Sequence, residues 1–242
     1  MASLLNIVEA VADRIGLVRP TQVIGSSDPQ ARQLLALSNQ EGRELARRHA
    51  WQALTFEHSF TTIAAETQTS GLPTGFDRFV PGTIYNRTTK RPVSGPLTAR
   101  EWSDYKASQT SLVFDAFRLR GDAFLMAPTP SAGNTIYYEY VSKYWCMGSA
   151  DTTPDQQWWF ADTDISVHDD ELMILGTHWR YLRSRGLDYA DTFQSYEHAL
   201  AQLTGRDGGS RVLSMGPKSR WTSTHGINVV LSDDDGSALV DD

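Results

Sequence analysis

Residues 162 to 172, "DTDISVHDDEL", place five carboxylates and one histidine within eleven positions. Those residue types can ligate a cation or share protons in catalysis, so the spacing must be tested against each chemistry. A calcium loop of the EF-hand type needs glycine at its sixth position and a carboxylate at its twelfth. Counted from Asp162, those positions hold Val167 and Met173. A helical zinc pair needs histidines four apart with a nearby glutamate, whereas His168 and His178 are ten apart. Neither metal template fits. The same residues suit the start of a helix. Asp164 or Ser166 is expected to cap a helix beginning near Val167. Asp169, Asp170 and Glu171 then meet its positive end, with Arg180, Arg183 and Arg185 at the other.

Other chemistries lack their residues. His49, His58, His198 and His225 are scattered. There is no Gly-x-Ser-x-Gly elbow, no Cys–His arrangement and no Gly-x4-Gly-Lys phosphate loop. No catalytic residue, metal site or cofactor is assigned. Cys146 is the single cysteine, which excludes an internal disulfide and a paired-cysteine metal site. A reducing compartment is the simple reading.

Two clusters suit binding. Arg43, Arg47, Arg48 and His49 make a basic end to a helix, either a solvated face or a surface for an acidic partner. Tyr144, Trp145, Trp158, Trp159 and Phe160 are aromatics that can stack bases or sugars, or close a seam between subdomains. With few basic neighbours, packing or a protein interface is the favoured reading.

The positioning elements follow from periodicity. Leu4, Ile7, Val8, Val11 and Ile15 predict a helix that ends at Gly16. Ser27 or Asp28 caps a second helix with Pro29 in its first turn. Its inner stripe is Ala31, Leu34, Leu35, Ser38, Gly42, Leu45 and Ala46, small enough for another helix to approach. From Leu54 the period shortens to two through Phe56, His58 and Phe60. "TIYN" and "RPVSG" flank a turn. "FRLRGDAFLMAP" is a hairpin with Gly121-Asp122 at its tip. "NTIYYEYVSK" puts Ile136, Tyr138 and Tyr140 on one face. Thr98 and Glu101 form a capping box for one interrupting helix. Helical period returns with Leu172, Leu175, Trp179 and Leu182. After Gly186 comes the antiparallel partner face Tyr189, Phe193, Tyr196, Leu200 and Leu203.

The expected fold class is α+β. An antiparallel helical bundle (1–51 and 160–206) carries an inserted small antiparallel β domain (52–148). An extended C-terminal arm (207–242) follows, with "GRDGG" as linker. The arm's Gly, Ser and Asp content cannot order by itself. Yet it carries Val212, Leu213, Trp221, Ile227, Val229, Val230 and Leu231, the residues expected to bind a partner together with Arg43, Arg47 and Arg48.

The whole chain has 242 residues, 40% hydrophobic and 21% charged, which supports a sizeable core. Its net charge of -7 and pI near 5.3 argue against a main role in gripping nucleic acid. The apolar start is interrupted by Glu9 and Asp13, so neither a signal peptide nor a membrane span is expected.

The order of parts is distinctive: a helix pair, a β insertion with "LPTGFDRF" and "IYYEYVSKYW", a return through "ADTDISVHDDELMILGTHWRYLRSRGLDYA", and a trailing arm. Over about residues 3 to 206 this resembles the head-to-tail adaptor (connector) proteins of tailed bacteriophages, of the tail tubular protein A-like class. The resemblance implies a non-enzymatic virion protein at the head–tail junction, made in the host cytoplasm. It implies a ring, usually a dodecamer, docked under the portal protein. The ring joins the portal to the tail nozzle or to a tail-tube or terminator protein. DNA passes only transiently through its axial channel. The alternative is a carbohydrate-binding or hydrolytic virion protein using the aromatic and acidic residues of 144–171.

Overall fold

The computed structural model describes residues 1–107 and 115–208. Four helices share one apolar cluster. They are α1 (Leu4–Ile15), α2 (Pro29–Arg48), α4 (Asp170–Ser184) and α5 (Ala190–Asp207), with the shorter α3 (Ala99–Ala107) elsewhere in the chain. Local signals set their ends. Ser3 accepts from the Asn6 amide at the start of α1, and Gly16 closes it at φ 75°. Asp28 accepts from the Gln30 amide, with Pro29 first in α2. At the end of α4, Gly186 adopts φ 69° and Leu187 N donates to Leu182 O, so the chain turns sharply back into α5. Helix α4 is the hub, packed against α1, α2 and α5. Trp179 of α4 and Phe193 of α5 meet edge to face at 5.0 Å.

The strands are β1 (Thr55–Thr61), β2 (Thr67–Gln68), β3 (Phe76–Phe79), β4 (Tyr85–Asn86) and β5 (Arg91–Pro92), then β6 (Ala116–Arg120), β7 (Ala123–Ala127), β8 (Thr135–Ser142), β9 (Cys146–Met147) and β10 (Ile165–Ser166). All named pairs are antiparallel. Strand β8 is central: β1 runs along one edge, while β3 and β4 share the other. The second sheet is β2-β7-β6, its hairpin turning at Gly121-Asp122 as expected. Between the sheets lies a second apolar cluster. Phe117 stacks on Phe124, and Phe124 on Tyr138, with interplanar angles of 5° and 9°. Thr98 and Glu101 exchange the two bonds of a capping box at α3. The mixed α+β class is therefore observed. Arg78 of β3 ties the sheets to the helices, donating to the carbonyls of Ala46 and His49 at 3.4 and 2.9 Å.

Several expectations need correction. Helix α4 begins at Asp170, not near Val167, because Ile165 and Ser166 are held extended by pairing with Met147 and Cys146. Asp169 is its cap, accepting from Leu172 N at 3.1 Å. Leu54 lies in a single 3-10 turn, Gln52–Leu54, just before β1. Gly205, Arg206 and Asp207, the first residues of the expected "GRDGG" linker, sit inside α5, and Tyr189 is exposed at its start. The arm residues Val212, Leu213, Trp221, Ile227, Val229, Val230 and Leu231 lie outside the described residues.

Candidate functional site

The acidic stretch is tied carboxylate by carboxylate into the frame. Asp162 accepts from the amides of Val23 and Ile24, the latter at 2.7 Å. Asp164, 3% exposed, accepts from the amides of Phe160 and Ala161 at 2.7 and 2.9 Å. Ser166 Oγ accepts from His168 N. Asp169 caps α4, Asp170 accepts from Ala2 N, and Glu171 takes Arg14 at 2.8 Å. Each group is already satisfied by a donor within the chain. Among the described residues, no set of three or more His, Cys, Asp or Glu is placed to hold a metal ion. The stretch works as a fastener: it holds the loop before α1, the loop before α2 and the start of α4 together.

His168 is buried and stacks on Trp145 at 6.1 Å with an 18° tilt. Its Nε2 lies 3.2 Å from Gly42 O, so the neutral ring must carry its proton there to donate. Burial pulls its pKa down to about 4, against the pull of the Gly42 carbonyl. Such a ring serves structure at neutral pH. The Cys146 thiol is buried too, and burial pushes its pKa up, away from the reactive thiolate.

Helix α4 packs against α2, and at Ser38, Asn39 and Gly42 the stripe also receives aromatic rings. A Cβ on Gly42 would lie 2.4 Å from the Trp145 ring. Trp159 N donates to Asn39 Oδ1, and its Nε1 donates to Ser38 Oγ, each at 3.0 Å. Trp145 and Trp159 are 0% and 4% exposed. Trp158 and Phe160 face outward.

A buried ion pair that helical periodicity does not reveal joins α2 to α4. Arg180 of α4 donates to Glu41 of α2 at 2.6 Å and to Glu44 at 2.9 Å. Glu41 is wholly buried, and burial raises its pKa above the ordinary carboxylate value despite Arg180. The Tyr196 hydroxyl interacts with Glu41 electrostatically, yet neither it nor Glu41 Oε1 finds a partner of good hydrogen-bond geometry. One signal was available. Glu41 falls three residues after Ser38 and four before Leu45, on the apolar stripe, where a carboxylate demands a cation.

The basic end of α2 is divided. Arg43 lies over the Trp158 ring at 4.0 Å. Arg48 is bound to Glu197 of α5 at 2.7 Å. Arg47 is exposed. His49 pairs with Asp207 at 3.2 Å, and Asp207 also accepts from Gln52 N, so the end of α5 is pinned beside the end of α2.

No helix among the described residues is long and apolar enough to cross a membrane. What the geometry offers is a rigid frame with exposed aromatic and basic patches. No curated protein matches the chain in sequence. The family model described as SU10 adaptor protein matches residues 2–220. The chain belongs to the SU10 adaptor protein family and is a phage head-to-tail adaptor.

Proposed function

We propose that this chain is one subunit of a ring, a dodecamer, at the head–tail junction of the virion. The ring docks on the portal protein, meets a tail nozzle or tail-tube protein on its far side, and leaves an axial channel for DNA. The family match carries this reading. Physical features support it. The acidic stretch is satisfied internally, which suits a structural part, and an acidic chain suits a conduit that must release DNA. We read residues 52–148 as a β module inserted into the helical body, fastened to it through Arg78. The carbohydrate or hydrolytic alternative loses support: Trp145 and Trp159 are packed, and each carboxylate of 162–172 already has a donor.

The portal contact is assigned to the arm, through Val212, Leu213, Trp221, Ile227, Val229, Val230 and Leu231, with Arg43, Arg47 and Arg48 as the second surface. An extended apolar segment such as 227–231 can add to an open sheet edge of a partner. Removing residues 209–242 spares Asp207 and its bonds. The truncated protein should keep its melting temperature and lose co-sedimentation with portal. Full-strength binding would move the contact to the arginines of α2.

A further inference from the structure

Trp158 and Phe160 are 43% and 65% exposed, and they flank the buried Trp159. Trp159, between them, is 4% exposed, so the irregular chain here buries one ring and leaves its two neighbours in solvent. Trp159 is turned inward by its two bonds to α2. The outward pair stands on a fixed frame. The Phe160 and Ala161 amides are held by the Asp164 carboxylate, and Cys146 Sγ donates to Trp158 O at 3.2 Å. Aromatics fixed in this way lose little freedom on contact. Arg43 covers the Trp158 ring and, among the described residues, has no carboxylate within ion-pairing distance. Arginine beside exposed aromatics is the composition that dominates interface energies.

A receptor of matching character exists on the same chain. The β layer opens an apolar cavity of about 470 Å³ lined by Phe76, Phe79, Ile84, Pro96, Phe117 and Leu119. Asp77 and Arg78 both line it as well; Arg78 takes one Asp77 carboxylate oxygen at 2.7 Å and leaves the other oxygen for a second cation.

We propose that Trp158 and Phe160 of one copy seat in this cavity of the next copy, with Arg43 facing Asp77. Two observations select a second copy of this chain as occupant. Knob and cavity are both aromatic and both present on every copy, and the unpaired cation of one meets a carboxylate at the rim of the other. Because the two patches differ, the contact is head to tail and propagates around a ring instead of closing a two-fold pair. The inference rests on the ring reading and names its lateral contact.

Photo-crosslinking tests it. A p-benzoylphenylalanine substituted at position 160 is irradiated in rings assembled on the phage's portal, and the products are mapped by mass spectrometry. Crosslinks should join position 160 to residues 76–96 or 117–119 of another copy. Phe160→Asp should abolish ring formation with the melting temperature unchanged. Leu119→Glu should do the same from the cavity side. Crosslinks to position 158–160 of another copy, crosslinks only to portal, or normal rings from Phe160→Asp would each overturn the contact. If the unaltered chain forms no ring on portal, the ring reading itself fails, and this contact with it.

Discussion

Gly176 of α4 stands against Glu41 of α2 so closely that a Cβ there would lie 2.2 Å from the Glu41 carboxyl carbon. The glycine makes room for the buried carboxylate, and Arg180, one turn further along α4, neutralises it. This one contact couples the packing of the two helices to their electrostatics.

Gly176→Ala should therefore destabilise the protein. Helix propensity alone argues the other way, by about 1 kcal/mol in favour of alanine. Overpacking against an immobile buried carboxylate costs about 1–3 kcal/mol and should win. Denaturant melts of the two proteins decide the sign, and a gain in stability would show that Glu41 can move aside.

Arg180→Ala leaves Glu41 buried without its partner and should cost about 3–5 kcal/mol. Changing both members, Glu41→Gln with Arg180→Met, should cost far less, because no uncompensated charge remains. A double variant as unstable as the single one would mean that packing, not charge, dominates at this site.

His168 makes stability depend on pH in a definite direction. Its pKa is 6.5 unfolded and about 4 folded. Between those values the unfolded state binds more protons, so stability falls as pH falls from 6.5 to about 4. At about 1.4 kcal/mol per unit, the loss across the window is about 2–3 kcal/mol. Glu41 runs oppositely: its raised pKa favours the folded state most below the ordinary carboxylate value and is lost as pH rises. His168→Gln should therefore flatten the acid limb of the stability profile. An unchanged slope between pH 5 and 7 would remove His168 as its cause.

Substitutions in the acidic stretch should follow its bonds. Asp169→Ala removes a cap and should cost about 0.5–2 kcal/mol. Asp164→Ala orphans two backbone amides and should cost at least as much, while Ser166→Ala, with one bond at stake, should cost less. Calcium or a chelator should leave the melting temperature unchanged. A calcium-dependent rise would reveal a site that binds the folded state.

The sequence made the local devices legible because each is written within a few residues. Asp28-Pro29, Gly16, the Thr98–Glu101 box and the Gly121-Asp122 hairpin all carry their own geometry. The shared face of Trp179 and Phe193 was readable from helical spacing. Non-local pairing was not. The cap of α4 is Asp169 and not Asp164 or Ser166, because Ile165 and Ser166 answer to Met147 and Cys146, a pairing that periodicity cannot announce. The Glu41–Arg180 pair spans 139 positions, and each residue alone looks like an ordinary helix charge. Gly42 announced close approach correctly but not its occupant, the ring of Trp145.

A ring of this chain on a portal would be large enough to see directly. The decisive measurement is negative-stain electron microscopy of the full chain mixed with its phage's portal. Each portal should gain a ring on one end, coaxial with it and open along the axis. Portals that stay bare at saturating chain, or chain bound singly around the rim without closing, would contradict ring formation.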